Sequence, residues 1–322
     1  MNHFRLFVLS LVALLILSGC GQGEVPGVTE TEEKPPATVT PLPTVSPTGT
    51  ASETASPTPE PKQVRFAVIG DYGWSGTAVA EMAALVHSWE PDIILTVGDN
   101  NYPSGERTTI DENIGQYYHD YIFPYTGSYG AGSDTNRFFP TLGNHDFYSE
   151  EGQPYFDYFS LPGNERYYDF TWGPVHFFAL NSGDLEPGGV GSKGIQAAWA
   201  QERVSASESA WQVVYFHYAP YSSGEDGPIT WMRWPFAEWG GDVVFSGHYH
   251  AYERLLVGGI PYFVSASSGA GMYNFGSIVP ESQFRYNADN GAILVNASET
   301  DMLVEFYNRA GELIDTYRMV KP

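Results

Sequence analysis

The chain has 322 residues, with 38 acidic against 15 basic side chains and a formal net charge of −23. Such a composition lacks the cationic patches that nucleic-acid backbones require, so we expect no nucleic-acid partner. It does not exclude a phosphate substrate, because bound metal ions would supply positive charge where that substrate docks. The single cysteine, Cys20, excludes an intramolecular disulfide.

The first 19 residues have the pattern of a signal peptide. Arg5 precedes the apolar run 6–17, which is too short for a comfortable membrane span. The run closes on a Leu-Ser-Gly-Cys tetrapeptide ending at Cys20, which resembles the lipobox of bacterial lipoproteins. That resemblance implies a lipidated Cys20 and an extracytoplasmic protein, anchored to a bacterial membrane at the cell surface or in the periplasm. The alternative is an ordinary secretory signal that happens to hold a cysteine.

Residues 20–62 form a separate zone rich in Pro, Thr, Ser and Glu, without an aromatic side chain. Such a segment buries too little apolar surface to offset its conformational entropy. We therefore predict a disordered tether that carries the lipidated Cys20. Residues 63–322 contain nearly all the aromatic side chains and suit one large α/β domain, the expected catalytic domain.

Apolar runs and helical spacing alternate through residues 63–322. In chain order they predict strand 64–69, helix 77–89, strand 92–97, helix 109–123, loop 126–136, strands 138–142, 167–171 and 175–181, helix 195–204, strand 211–216, helix 229–239, and strands 243–245, 255–257, 262–265, 292–296, 302–307 and 313–318. The early strand–helix alternation predicts a parallel sheet. The hairpin-like end of the chain predicts a second, mostly antiparallel one.

Five polar segments stand at or just after the ends of predicted strands. They are Gly-Asp-Tyr-Gly at 70–73, Gly-Asp-Asn-Asn-Tyr at 98–102, Gly-Asn-His-Asp at 143–146, His217, and Gly-His-Tyr-His at 247–250. Open α/β sheets bind ligands beyond the carboxyl ends of their strands, so these segments are expected to converge. Their oxygen and nitrogen donors suffice for two adjacent metal ions, a common device for cleaving phosphate esters.

Each segment alone has a plainer explanation. An aspartate after a strand caps a helix, an asparagine forms a turn, and a lone tyrosine or histidine packs in a core. Only His248 and His250, which alternate on one side of an extended segment, indicate a metal site by themselves. All five segments in register favour a metal centre over these explanations.

This set of motifs resembles the calcineurin-like metallophosphoesterases, and among them most closely the small, single-domain purple acid phosphatases. Gly73 stands where many relatives have a metal-binding histidine, and Tyr102 stands at the position of the ferric-ligand tyrosine. The resemblance covers residues 64–270. It implies an α/β fold of two mixed β-sheets packed as a sandwich with flanking helices.

The resemblance also implies the roles of individual residues. Fe(III) would be held by Asp71, Tyr102 and His250, a divalent Fe, Zn or Mn ion by Asn144, His217 and His248, and Asp99 would bridge both. A trivalent ion prefers anionic oxygen, whereas the neutral second set suits a divalent ion. Metal-activated hydroxide would attack the phosphorus, and His145 would donate a proton to the leaving group. Asp146 would orient the His145 imidazole.

One position departs from the family pattern. The small purple phosphatases carry a second substrate-facing histidine in a segment that corresponds to 223–228, and Asp226 stands there instead. An ionised aspartate repels phosphate and helps only when protonated. It would lower activity, shift the pH optimum toward acid or alter leaving-group preference. If the alignment is displaced by a residue or two, Asp226 is a turn residue.

The sequence thus predicts a monomeric acid phosphatase-like enzyme that hydrolyses phosphomonoesters. The alternatives are a phosphodiesterase or nucleotide hydrolase on the same metals, and a surface-anchored binding protein whose site is vestigial. No feature selects the substrate. The candidates to line the mouth of the site, or else to be scaffold, are Tyr72, Arg137, Tyr148, Tyr221, Tyr249 and Arg254.

Overall fold

The computed structural model describes residues 63–321. The predicted signal peptide, Cys20 and the predicted tether lie outside the described residues. Within 63–321, none of the helices combines the length and the apolar character that crossing a membrane requires.

The described residues contain thirteen strands and six α-helices. The strands are β1 (Gln63–Ile69), β2 (Ile93–Thr96), β3 (Phe138–Pro140), β4 (Tyr168–Trp172), β5 (Val175–Ala179), β6 (Trp211–Tyr218), β7 (Val243–Gly247), β8 (Tyr252–Val257), β9 (Ile260–Ser265), β10 (Ser282–Tyr286), β11 (Gly291–Ser298), β12 (Asp301–Asn308) and β13 (Leu313–Val320). The helices are α1 (Thr77–Ser88), α2 (Gln116–Tyr118), α3 (Asn144–Phe147), α4 (Gln153–Tyr158), α5 (Ile195–Ser205) and α6 (Phe236–Trp239).

The first sheet has six strands in the order β13-β12-β11-β1-β2-β3. Strands β1, β2 and β3 are parallel, as expected, but β11 pairs antiparallel with the other edge of β1, placing Phe66 opposite Val295. The prediction that the end of the chain builds a separate antiparallel sheet is therefore wrong. Pairing with β1 satisfies the edge of that strand, and the position of this edge could not be inferred from local sequence.

The second sheet has seven strands in the order β10-β8-β9-β7-β6-β5-β4. Strands β5, β6, β7 and β9 run parallel to one another, whereas β4, β8 and β10 add antiparallel pairs at the two ends of the sheet. Both sheets are thus mixed, which confirms the predicted fold class.

The two sheets pack face to face, and helices cover their outer faces. On β1, Phe66 and Val68 enter the core between the sheets, while Ala67 and Ile69 pack under α1. The Phe66 ring meets Phe177 of the second sheet edge-on at 5.1 Å between centroids. This alternation explains why β1 reads as a continuous apolar run: each face of the strand is buried.

Two predicted helices differ from the structure. Residues 229–239 form a 3₁₀ turn, Thr230–Met232, and then the short α6, not one helix. Pro235 separates them, because proline cannot donate a helical hydrogen bond and disfavours helical geometry in the residue before it. The predicted helix 109–123 is a π turn, α2 and a 3₁₀ turn in succession over 111–121. Helices α3 and α4 and strand β10 were not predicted.

Candidate metal centre

The predicted ligands lie where the carboxyl ends of the two sheets meet. Asp71 follows β1, Asp99 and Tyr102 follow β2, and Asn144 begins α3 just after β3. From the second sheet, His217 lies near the end of β6, and His248 and His250 follow β7. The fold therefore brings together all seven side chains from loops that are far apart in sequence.

The first cluster consists of Asp71, Tyr102 and His250. The Tyr102 hydroxyl lies 3.3 Å from Asp71 Oδ1 and 3.2 Å from His250 Nε2. His250 Nε2 is in turn 3.3 Å from Asp71 Oδ1. Three potential ligand atoms thus surround one point.

The second cluster consists of Asn144, His217 and His248. His217 Nε2 lies 3.0 Å from Asn144 Oδ1 and 3.2 Å from His248 Nδ1. The two imidazole rings meet nearly edge-on, with an interplanar angle of 77°. This cluster contains no anionic side chain.

Asp99 connects the two clusters through a single oxygen. Its Oδ2 lies 3.0 Å from the Tyr102 hydroxyl and 3.4 Å from His217 Nε2. Its Oδ1 accepts a hydrogen bond from the backbone N–H of His145, which fixes the orientation of the carboxylate. Asp99 therefore occupies a bridging position between the clusters.

The hydrogen-bonding pattern of the imidazoles fits a metal centre. His217 Nδ1 lies 2.9 Å from the Val97 carbonyl, which can only accept, so the neutral ring presents a lone pair at Nε2. That lone pair faces Asn144 Oδ1. The Oδ1 atom is an acceptor, because the amide nitrogen of the same side chain donates to the Tyr148 hydroxyl. Two acceptors 3.0 Å apart repel each other unless a cation lies between them.

The same pattern occurs in the first cluster. His250 Nδ1 lies 2.9 Å from the Gly271 carbonyl, which leaves Nε2 as a lone pair facing the Asp71 carboxylate. Ligands about 2.1 Å from one ion are roughly 3.0–3.4 Å apart, the spacing seen in both clusters. The residues present therefore fit two cations.

Burial and neighbouring charge shift the pKa values of these groups. Burial raises the pKa of Asp99. Burial also acts to raise the pKa of Asp71, but the hydrogen bond that His250 donates when its ring is protonated, and the charges of the neighbouring imidazoles, outweigh it and lower that pKa. Burial, assisted by His217, lowers the pKa of His248 to about 3. His248 is thus neutral near pH 7, the state in which imidazole binds a metal.

Three of the candidate ligands have a strained backbone conformation. Asp71, Asp99 and His248 have φ values of 54°, 53° and 70°, in the left-handed region that side-chain-bearing residues adopt infrequently. Such strain is concentrated at functional sites, where the surroundings enforce it. Gly98 allows a close approach as well, because a Cβ at this position would lie 2.6 Å from His217 Nδ1.

His145 lies beside the clusters without completing either one. Its ring centroid is 4.3 Å from that of Tyr102, and its Nε2 is 4.0 Å from Asp99 Oδ2. His145 Nδ1 lies 2.6 Å from the Pro103 carbonyl and therefore donates to it. The ring is thereby oriented with Nε2 toward Asp99.

Asp146 does not orient His145, so this part of the predicted site is wrong. The buried Asp146 carboxylate accepts hydrogen bonds from the Gly143 N–H at 2.8 Å and from the Asn100 side chain at 2.8 Å. It caps α3 and fixes the loop that carries Asp99. The Pro103 carbonyl contacts the His145 imidazole instead. A backbone carbonyl has no signature in the sequence.

Asp226 lies at the mouth of the site. It is exposed and lines a cavity of about 120 Å³ together with Asp99, His145, His248 and Tyr249. The loop that carries Asp226 is fixed by Glu253, which the sequence analysis missed. The buried Glu253 carboxylate accepts from Ser223 N at 2.7 Å and Ser223 Oγ at 2.6 Å. The available signal was a glutamate two residues before the apolar run 255–257.

The six mouth candidates divide into two groups. Tyr148 and Tyr249 lie at the site, where Tyr148 packs against His145 and Tyr249 lines the cavity. Tyr72 is fully buried and bonded to Asn100. The remaining three pair elsewhere, in the contacts Arg137–Tyr121, Tyr221–Tyr262 and Arg254–Asp315.

Comparison with known proteins identifies the family. The model of the calcineurin-like phosphoesterase family matches residues 64–252. Purple acid phosphatase 23 of Arabidopsis thaliana is 28% identical over 223 residues, which cover 59% of this chain and 47% of that protein. A purple acid phosphatase of Glycine max is 23% identical over 262 residues, which cover 69% of this chain and 54% of that protein. The chain thus spans about half the length of the curated relatives it matches.

Solved structures share the fold. The purple acid phosphatase PPD1 from Lupinus luteus superimposes with a TM-score of 0.68 at 17% identity, covering 81% of this chain and 55% of that one. GAP50, the anchor in the inner membrane complex of Plasmodium, superimposes with a TM-score of 0.64 at 18% identity, covering 81% of this chain and 90% of that one. The family model covers more than half of the chain and every candidate ligand, so this protein belongs to the calcineurin-like phosphoesterase family, with purple acid phosphatases among its relatives.

Proposed function

We propose that this protein is a metal-dependent phosphatase that hydrolyses phosphomonoesters at a dinuclear centre. The observation that carries the proposal is the position of Asp99, one of whose oxygens lies between two clusters of lone pairs. These clusters lie beside a cavity that His145 also lines. A phosphate bound in this cavity would contact both the metal centre and His145.

The donors favour two different metals. Asp71 and Tyr102 supply anionic oxygen to the first cluster, which suits Fe(III), with His250 as the third ligand. The uncharged second cluster suits divalent Fe, Zn or Mn. When bound, such ions polarise phosphoryl oxygens and lower the pKa of water toward neutrality.

His145 is the proposed proton donor. Its Nδ1 is committed to the Pro103 carbonyl, so the proton available to a substrate is the one on Nε2 of the imidazolium. Nε2 faces Asp99 at the edge of the cavity, where a leaving alkoxide would emerge. A positioned histidine of this kind typically contributes about 10²–10⁴-fold to the rate.

Asp226 would act on substrate binding through its charge. Its carboxylate, at the mouth of the cavity, repels a phosphate dianion when ionised. We expect this repulsion to favour acidic pH, at which the phosphate monoester carries less negative charge.

We further propose that the enzyme is an extracytoplasmic monomer, attached to a bacterial membrane through a lipidated Cys20. The support is the apolar run 6–17 and the Leu-Ser-Gly-Cys tetrapeptide that follows it. Residues 63–322 would then be a catalytic domain on the 20–62 tether. Mass spectrometry of Cys20 after expression in bacteria tests the anchor, and an unmodified thiol would contradict it.

The decisive experiment for the activity is phosphate release by the metal-loaded full chain from an aryl monoester and the matching diester, from acidic to neutral pH. The proposal requires monoester preference with an acidic optimum. Diester preference would keep the metal centre but select the phosphodiesterase alternative. No turnover by metal-loaded protein would overturn the proposal and favour the binding-protein alternative.

A matched pair of variants attributes the activity to the centre. Asp99→Asn removes the bridging charge and should abolish turnover. Asp157→Asn makes the same chemical change on the exposed carboxylate that pairs with Arg107, and activity should persist. Equal losses in both variants would exclude Asp99 as the essential group.

A further inference from the structure

Exposed aromatic rings surround the metal centre. Tyr148, Trp74 and Tyr273 are 63%, 41% and 40% exposed, and Tyr148 is the most exposed aromatic side chain among the described residues. Trp74 stacks on Tyr102, with ring centroids 5.1 Å apart and an interplanar angle of 5°. Tyr273 stacks on His250, with ring centroids 4.1 Å apart. The apolar exposure is therefore continuous with the proposed active site.

Four rings of the site, including the imidazole of the proposed proton donor His145, form a row. From Trp74 to Tyr102, His145 and Tyr148, successive centroids are 5.1, 4.3 and 5.0 Å apart. The two ends of the row, Trp74 and Tyr148, are the exposed members. Of the two rings that pack against His145, Tyr148 is the exposed one and Tyr102 is buried.

The position of Tyr148 places the leaving group on this row. Tyr148 packs against His145 but is not one of the residues that line the cavity, so its ring lies just outside the space where the phosphate would bind. The alcohol part of a substrate that extends out of the cavity past His145 therefore meets this ring. If His145 protonates the leaving oxygen, that alcohol lies against Tyr148.

The charges at the mouth restrict which substrates can bind. Among the described residues that line the cavity, none is lysine or arginine, and Asp226 is exposed there beside Glu225. A substrate with further anionic groups would be repelled. Contact with an uncharged, planar group remains, because aromatic rings stack on any π-face.

We propose that the Tyr148 end of this row is a leaving-group subsite selecting phosphomonoesters whose alcohol carries a planar aromatic group. This inference rests on the proposed function and names its substrate class. Tyr148 is the specificity-determining residue. Stacking of a base on an aromatic side chain typically changes affinity about 5- to 100-fold.

The test compares adenosine 5′-monophosphate with ribose 5-phosphate as substrates of the metal-loaded full chain. Both esters release the same primary alkoxide, so their difference reports contact with the base and not leaving-group acidity. We expect kcat/KM to favour the nucleotide by about tenfold or more. A ratio near one in the wild-type protein would overturn the subsite and leave the phosphatase proposal standing.

Two variants isolate the ring of Tyr148. Tyr148→Phe and Tyr148→Leu both remove the hydroxyl that accepts from Asn144 Nδ2, but only the first keeps an aromatic face. The nucleotide preference should persist in Tyr148→Phe and fall about tenfold in Tyr148→Leu. An unchanged preference in Tyr148→Leu would overturn the assignment of Tyr148.

Equilibrium binding separates this proposal from the phosphatase activity. If neither ester is hydrolysed, calorimetric titration of both into metal-loaded protein still tests the subsite. Tighter binding of the nucleotide to wild type and Tyr148→Phe, but not to Tyr148→Leu, supports the subsite while the phosphatase proposal fails. Equal binding of both esters, or binding of neither, overturns it.

Discussion

Tyr102 shows how much one side chain contributes to the centre. Its hydroxyl lies within 3.3 Å of Asp71, Asp99 and His250 at once, although a phenol has one hydrogen to donate. Burial, followed by the charges of Asp71 and Asp99, raises its pKa. Only a cation of high charge would favour the phenolate in these surroundings. The ring itself is fixed between Trp74 and His145.

Tyr102→Phe should bleach the protein. If Tyr102 binds Fe(III), the iron-loaded wild type absorbs visible light through phenolate-to-iron charge transfer, and the variant loses this band while keeping its packed ring. Visible absorption and iron content measure the effect. Tyr72→Phe is the matched control, because the Tyr72 hydroxyl bonds to Asn100 and not to a cluster. A colourless, fully active wild type with divalent metals alone would remove Tyr102 from the ligands.

His145→Ala should lower kcat by about 10²–10⁴-fold without loss of metal. The physical reason is that the imidazole lies beside both clusters but completes neither. The loss should shrink for an ester with an acidic leaving group, which departs without a proton. Metal analysis and two esters of differing leaving-group pKa check this. Equal losses on both esters would contradict proton donation.

At the scale of elements, Asp169 joins β4, β5 and α5. Its Oδ2 accepts from His176 Nε2 at 2.7 Å and from Arg203 Nη2 at 2.7 Å. Burial acts to raise the pKa of Asp169, but the hydrogen bonds from His176 and Arg203 outweigh it and lower that pKa. The carboxylate therefore stabilises the fold above the ordinary aspartate pKa, and this stabilisation disappears as pH falls through the lowered value.

Asp169→Asn should reduce the free energy of unfolding by about 1–2 kcal/mol at pH 7, because charge-assisted hydrogen bonds to a largely buried acceptor are lost. Since the wild-type contribution vanishes on protonation, the two proteins should converge as the pH falls through the lowered pKa of Asp169. Urea unfolding at pH 7 and over a series of acidic pH values measures this. Asp157→Asn, on an exposed carboxylate, should change stability little. A difference that persists unchanged in acid would refute the charge-based explanation.

At the scale of the whole molecule, the candidate ligands connect the two sheets. Asp71, Asp99, Tyr102 and Asn144 extend from the first sheet, and His217, His248 and His250 from the second. The sheets otherwise adhere through the apolar core, where Phe66 packs on Phe177 and Phe245. Metals bound at this seam would cross-link the sandwich at its functional edge.

Removal of the metals should therefore lower the melting temperature. A ligand that binds only the folded state stabilises it by about 4 kcal/mol when its free concentration is 1,000 times its Kd. Calorimetry before and after chelation, with metal restored as the control, measures the shift. His248→Ala should show a smaller response to chelation than wild type. An identical melting temperature with and without metal would contradict a cross-linking centre.

Much of the fold and the site could be predicted from local sequence, for a physical reason. A buried strand needs a continuous apolar run, and a polar residue directly after it is exposed at the sheet's carboxyl edge. Asp71, Asp99 and His217 each stand at such a position, whereas the full set of seven candidate ligands was implied by the resemblance to the purple acid phosphatases. Twelve of the thirteen strands in the described residues were placed to within a few residues because periodicity is a local property, and β10 was missed.

Only the tertiary structure decided which elements and side chains meet. β11 pairs with β1, and Glu253 holds the Asp226 loop through hydrogen bonds to Ser223; both contacts join residues that are far apart in sequence. Asp146 accepts a hydrogen bond from Gly143 and does not contact the neighbouring His145, a choice between nearby partners. The carbonyls of Val97, Pro103 and Gly271, which orient the three histidine rings, carry no side-chain signal at all. The sequence by itself determined which donors stand at strand ends; folding decided their distances, tautomers and exposure, because these depend on contacts that no local pattern encodes.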